Sequence, residues 1–220
     1  MKALEKDMDV VVAELERSLV MLEAQYRKAV SNLNRLRGQM EKDDLTGLLR
    51  RGAFMNKLRN LLLSSREEGR EVHVIMIDVD HFKRVNDTYG HQTGDLVLER
   101  LSALVGQYMR PTDLAGRYGG EEIIVAIQAD SIEAMNVAEN IRRAVESCRL
   151  MPSNGRHSEF CVTLSAGLAS TRHFGHFAEN LIGEADAALY KAKTSGRNRV
   201  VAAQEFTVDL SVAQAWRSAA

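Results

Sequence analysis

The chain has 220 residues, 45% hydrophobic and 27% charged, with 29 Lys+Arg against 30 Asp+Glu. This composition excludes a disordered polyelectrolyte, a collagen-like chain and a disulfide scaffold, and the missing basic excess argues against a nucleic-acid partner. No apolar run approaches the roughly 18 residues of a membrane helix, and Glu5, Asp7 and Asp9 stand where a secretion signal would be apolar, so no membrane is expected and the cytoplasm is the expected compartment.

The first element in chain order is a long helix over residues 1–42. Apolar residues recur at Leu4, Met8, Val11, Leu15, Leu19, Leu22, Tyr26, Ala29, Leu33, Leu36 and Met40. The alternation of threes and fours is a heptad seam with one stutter. A helix of about 40 residues is about 60 Å long, more than one small domain can cover, so the seam predicts a coiled-coil stalk and a homodimer, or a higher oligomer. Met1–Ala24 holds six acids and three bases and Gln25–Lys42 five bases and one acid, a split that by itself favours antiparallel pairing. Such an uneven stalk is also a place where a regulatory protein could bind.

Residues 43–203 are expected to form one domain, and 204–220, with the single Trp216, a tail. Predicted elements are a helix from Arg50 to Gly69, a strand over Val72–Val79 buried on both faces, a helix over Thr93–Met109, and strands Asp113–Tyr118 and Glu122–Gln128. Gly119-Gly120 joins those strands, and a tight hairpin there asks for positive φ. A helix Ser131–Arg149, a strand pair around Phe160–Ser170, a helix Phe177–Thr194 and a strand Arg199–Ala202 complete the pattern. The expected class is α+β, with helices on one side of a largely antiparallel sheet. Cys148 and Cys161 lack metal-ligand spacing and are expected to be reduced core thiols. His173 and His176 are expected on a loop, solvated rather than ligating.

Two groups of residues carry chemistry. Asp78 and Asp80 end one predicted central strand, and Glu121 and Glu122 begin another. Neighbouring strands would bring Asp78 and Glu121 together as hard oxygen ligands of the kind Mg²⁺ takes alongside a phosphate. Lys193 and Arg197 lie far away in sequence, in Lys-Thr-Ser-Gly-Arg-Asn-Arg, where they could serve a phosphate or only the dipole of the preceding helix.

Five ordered motifs then resemble one family. They are Asp43-Asp44-Leu45-Thr46-Gly47-Leu48, the stretch Asp78 to Asp87, Gly90-His91-Gln92-Thr93-Gly94-Asp95, Arg117-Tyr118-Gly119-Gly120-Glu121-Glu122-Ile123, and Ala187 to Arg199. Together they are similar to the GGDEF family of diguanylate cyclases over about Asp43 to Val201. Here the name motif reads Gly-Gly-Glu-Glu-Ile, and Arg50 stands where an Asn is usual. The resemblance implies a ferredoxin-like nucleotide-cyclase palm that condenses two GTP into cyclic di-GMP and two pyrophosphates.

By position, the resemblance implies Asp78, the Val79 carbonyl and Glu121 as ligands of Mg²⁺, for which Mn²⁺ can substitute. It implies Glu122 as the acid assisting deprotonation of the attacking 3′-hydroxyl, with Asp78, Glu121 and Lys193 completing the catalytic set. His81, Phe82 and Lys83 would meet the phosphates through backbone N–H groups, Lys193 and Arg197 would neutralise them, and Asn86 and Asp95 would read guanine. An Asp carboxylate can accept from guanine N1–H and N2–H₂, a donor pair adenine lacks. Arg110-Pro111-Thr112-Asp113 lies nine residues before Gly119, the family spacing of an inhibitory product site at Arg110 and Asp113, with a secondary contact from Arg142 or Arg143. The alternatives are a catalytically weak module acting as a cyclic di-GMP receptor, and a stalk-driven scaffold.

Overall fold

A computed structural model describes residues 19–30, 41–153, 155 and 158–203. The chain divides into two units, Met1–Glu41 and Lys42–Ala220. In the first, residues 19–30 form a helix, α1, whose Leu19, Leu22 and Tyr26 are 61%, 66% and 70% exposed in the single chain. The remaining seam positions, from Leu4 to Leu15 and from Leu33 to Met40, lie outside the described residues, as do the tail 204–220 and Trp216.

The second unit runs β1 (Leu49–Arg50), α2 (Arg51–Glu68), β2 (Val72–Val79), α3 (Phe82–Tyr89), α4 (His91–Gln107), β3 (Leu114–Arg117), β4 (Glu122–Gln128), α5 (Ser131–Ser147), β5 (Leu164–Ser170), α6 (Thr171–Phe174), α7 (Ala178–Thr194) and β6 (Val200–Ala202). One sheet, ordered β1-β3-β4-β2-β5-β6, is antiparallel at its centre and parallel at both edges. The α+β class stands, but the helices do not share one side. Strand side chains alternate between faces, so Val72, Val74 and Met76 of β2 pack with Phe54, Leu58 and Leu62 of α2 and Leu181, Ala185 and Leu189 of α7. On the other face Ile75, Ile77 and Val79 meet Val97, Leu101 and Val105 of α4 and Ala138, Ile141 and Val145 of α5. A strand apolar on both faces needs a layer on each.

Four further expectations change. The eight residues of α3 carried no predicted element, because only Phe82 and Val85 are buried, too few to display a period. Instead of a strand pair around Phe160–Ser170 there is β5 alone, plus a single bridge between Leu150 and Phe160. Both cysteines are free thiols, but only Cys148, partly buried, packs against the core, while Cys161 is exposed. His173 sits in α6 rather than a loop.

His73, in the middle of the sheet, carries a consequence for stability. It is fully buried in β2, with Nε2 3.3 Å from Ser131 Oγ and 4.0 Å from a Glu71 carboxylate oxygen. Burial pushes its pKa down to about 4, against the upward pull of Asp130 and of a hydrogen bond at the Ala129 backbone, while His173 adds to the depression. The folded imidazole therefore stays neutral while the unfolded one protonates near the ordinary histidine value of 6.5. Stability from this group is complete above pH 6.5 and is lost as pH falls toward 4, by up to about 3 kcal/mol. Between pH 7 and 5, urea unfolding of His73→Gln is expected to lose about 2 kcal/mol less than wild type.

Candidate active site

The β2–β4 register pairs Asp78 with Glu122, which places Glu121 beside Asp78 at one end of the two central strands. Asp78 is 4% exposed, and Lys193, from the last turn of α7, donates from Nζ to its Oδ2 at 2.8 Å. The sheet and α7 thus bring together residues 115 positions apart. Burial raises the Asp78 pKa, opposed by Lys193 and Arg197 and reinforced by Asp80. Glu121 is raised by burial and then by Asp78, and Glu122 by burial, Asp78 and Asp186. Three carboxyl groups that repel one another around one ammonium form a cradle for added positive charge.

The donor set fits Mg²⁺. Among the described residues no three His, Cys, Asp or Glu side chains are placed to enclose a metal by themselves. Two carboxylates and a strand-end carbonyl are what Mg²⁺ uses when water and a phosphate complete its shell, so Asp78, Glu121 and the Val79 carbonyl would hold it.

The turn before β4 departs from the expected hairpin: neither Gly119 nor Gly120 has positive φ. Gly119 serves close approach instead, since a Cβ there would run into the Glu122 carboxylate. Arg117 donates from Nη2 to Gly120 O at 2.7 Å, and from Nη1 to Asp43 at 3.2 Å. Asp43 in turn accepts from the Thr46 amide and hydroxyl. The Leu-Thr-Gly-Leu turn and the Gly-Gly turn are therefore braced by one ion pair, a role for Arg117 and Asp43 that spacing alone did not signal. Arg50 ties the same turn to Lys42 O at 2.6 Å and to Asp44 at 2.8 Å, so the residue standing in place of Asn is accommodated.

Beyond Asp78 the chain turns through His81, which is left-handed at φ 58, and enters α3 with no side chain capping the helix. The leading N–H groups of a helix have no intrahelical partner, which leaves the backbone at His81, Phe82 and Lys83 suited to an anion. Asn86 of α3 lies against Gly94 of α4, where a Cβ would strike the Asn86 amide. The absence of a side chain at Gly94 leaves room for that amide, and Asp95, the next residue in α4, is exposed. On the other side of Glu122, a cavity of about 630 Å³ is lined by Arg51, Met55, Tyr118, Ile182 and Asp186. Arg51 stands 4.2 Å over the Tyr118 ring.

Arg197 and Asn198, at φ 61 and 46, form a left-handed turn after α7. Each such non-glycine residue costs about 1–3 kcal/mol, so the surroundings must hold the turn. At a different part of the surface, Asp113 accepts from the Arg110 amide at 2.7 Å, and the Arg110 guanidinium pairs with Glu133 at the start of α5. Arg142 is 12% exposed and committed to Glu139, Glu146 and Asn198, whereas Arg143 is 70% exposed.

A family profile described as diguanylate cyclase, GGDEF domain, matches residues 40–199. The chain is 43% identical over 138 residues to Diguanylate cyclase A of Treponema denticola, covering 62% of this chain and 36% of that protein. It is 34% identical over 196 residues to Diguanylate cyclase VdcA of Vibrio cholerae, covering 86% of this chain and 56% of VdcA. The chain thus spans about a third to about half the length of these curated relatives. Among solved structures, the coiled coil and GGDEF domain of DgcB from Caulobacter crescentus in complex with c-di-GMP aligns with TM-score 0.76 and 33% identity, covering 86% of this chain and 98% of that one. SiaD in complex with its activator SiaC from Pseudomonas aeruginosa aligns with TM-score 0.77 and 32% identity, covering 91% and 76%.

Proposed function

This chain belongs to the GGDEF family of diguanylate cyclases, and from that premise we propose that it condenses two GTP into cyclic di-GMP and two pyrophosphates as a homodimer. The observation that carries the reading is the meeting of Asp78, Glu121, Glu122 and Lys193 at one end of the sheet, beside the uncapped start of α3. In this reading a bound Mg²⁺, or Mn²⁺ in its place, would supply the positive charge that screens the triphosphate and polarises the α-phosphorus. Asp78 and Glu121, with the Val79 carbonyl, would hold it, and Glu122 accepts the proton of the attacking 3′-hydroxyl. The amides of His81, Phe82 and Lys83, with Lys193 and Arg197, hold the phosphates, and Asn86 and Asp95 accept from guanine. The seam on α1 pairs two chains so that the two half-sites face each other. None of the described helices is long and apolar enough to cross a membrane, and the reading places the chain in the cytoplasm because its substrate is there.

Incubation with GTP and Mg²⁺ followed by nucleotide chromatography tests this. Cyclic di-GMP should accumulate from GTP and not from ATP. A protein that binds cyclic di-GMP yet leaves GTP untouched would be a receptor instead.

Product feedback through Arg110 and Asp113 is part of the same proposal, with Arg143 rather than the committed Arg142 as the secondary contact. An Arg fork suits both guanine O6/N7 and phosphate. Arg110→Ala with Asp113→Ala should weaken product binding in calorimetry and raise the final yield. Because Glu133 already occupies the Arg110 guanidinium, Glu133→Gln should act oppositely. An exposed pair of this kind contributes about 0.2–1 kcal/mol, so half-inhibition should fall to an about 1.4- to fivefold lower product concentration. An unchanged inhibition curve would separate Glu133 from the site.

A further inference from the structure

Asp80 lies two residues beyond Asp78, and its surroundings are of a different kind. It is 5% exposed, and its carboxylate accepts three hydrogen bonds: Thr163 Oγ1 and Ser165 Oγ donate at 2.7 Å each, and the Asn198 amide at 3.0 Å. A carboxylate has about four acceptor positions, and here three are filled from inside the protein. Asp80 is thus bound up in structure, whereas the Asp78 carboxylate faces the site and bears the Lys193 ammonium.

The amide it holds belongs to the left-handed Arg197–Asn198 turn. Only three non-glycine residues among those described have positive φ, and two of them are this consecutive pair. A backbone that L-residues disfavour persists where its surroundings over-determine it. Asp80 grips the turn from the sheet side. From the α5 side, Asn198 Nδ2 donates to Glu146 Oε1 at 2.6 Å and Arg142 Nη1 donates to Asn198 Oδ1 at 2.7 Å. A third tie closes the turn onto α7, where the Arg197 amide donates to Ala192 O at 3.0 Å. Arg197 is exposed, and its backbone is the part that these bonds immobilise.

We propose that Asp80 is a positioning residue, which touches neither metal nor nucleotide and acts by locking the Arg197–Asn198 turn so that Arg197 is aimed at the nucleotide phosphates, with Asn198 and the last turns of α5 as its second anchor. The inference rests on the cyclase reading for the role of Arg197. It adds that a buried carboxylate and a helix remote from the substrate set that cation's direction, which lowers the entropy lost when phosphate binds.

The test is a double-mutant cycle between Asp80→Asn and Arg197→Ala, read by calorimetric binding of 3′-deoxy-GTP with Mg²⁺, a ligand that lacks the attacking hydroxyl and binds without reacting. Each single variant should weaken binding about tenfold, and the pair should be no more than about twofold weaker than Arg197→Ala alone, because Asp80 has nothing left to aim. With GTP in turnover assays, Asp80→Asn should raise KM more than it lowers kcat. Binding by Asp80→Asn within twofold of wild type would overturn the proposal. So would penalties that multiply, which indicate general loosening rather than action through Arg197. Should Asp80→Asn fail to fold by circular dichroism, Glu146→Ala on the exposed side carries the same cycle. It is expected to weaken binding about two- to threefold with Arg197 present and not at all without it, and an equal effect in both backgrounds overturns the proposal. A wild type that binds 3′-deoxy-GTP but makes no cyclic di-GMP removes the cyclase reading while the cycle still judges Asp80. A wild type that binds no 3′-deoxy-GTP overturns both.

Discussion

Glu121→Gln is expected to reduce cyclic di-GMP formation at least about a hundredfold, the loss of a principal charge contact to the metal in the transition state, while leaving the metal-free protein as stable as wild type or more so. The two signs differ for one reason. Burial and the Asp78 charge raise the Glu121 pKa, so at neutral pH the ionised carboxylate is held in a place that disfavours it. An acid whose folded pKa is raised binds more protons folded than unfolded, and its stabilising contribution falls as pH rises through that window. Neutral glutamine removes the repulsion along with the proposed metal ligand. Thermal unfolding with and without Mg²⁺ should show the cation raising the wild-type midpoint more than that of the variant. Turnover within tenfold of wild type, with an unchanged circular dichroism spectrum, would refute the ligand assignment.

Charging the seam should cost nearly as much by a different route. If each GGDEF unit holds one GTP, bond formation needs two half-sites in contact, and a tether replaces a micromolar encounter by an effective concentration in the millimolar range. Leu19→Asp with Leu22→Asp puts carboxylates on the apolar face of α1, where both leucines are exposed in the single chain. The double variant should be monomeric by light scattering and about a hundredfold slower in pyrophosphate release at 1 μM protein. Replacing the stalk by a parallel zipper should restore activity, because an antiparallel stalk would carry the catalytic units to opposite ends. A fully active monomer at low concentration would sink the idea.

Several features were legible in sequence because they are local or periodic. The heptad recurrence predicts a helix, which the described residues 19–30 form. The unbroken apolar run Val72–Val79 implies a strand with neighbours on both faces. Acids at the ends of two such strands, with glycines before one of them, mark where a site would lie if the strands paired, and the ordered motifs point to the family. Even the layer on each side of the sheet was implicit in that run, although the expected architecture kept the helices to one side.

What the tertiary structure alone decided are relations between residues far apart in the chain, which no period or spacing encodes. Pairing of β2 with β5 and packing of α7 on those two strands decide that Lys193 reaches Asp78, and pairing of β2 with β4 decides that Glu121 and Glu122 do. Two acids two positions apart, Asp78 and Asp80, look alike as letters. Their partners separate them: Asp78 bears the Lys193 ammonium at the site, whereas the hydroxyls of Thr163, just before β5, and Ser165, within it, together with the Asn198 amide, consume Asp80 in holding a turn. The choice between Arg142 and Arg143 and the pairing of Arg110 with Glu133 follow from which face of α5 meets the domain. Sequence specifies which groups are available, whereas their direction depends on backbone hydrogen bonding and burial summed over the whole sheet.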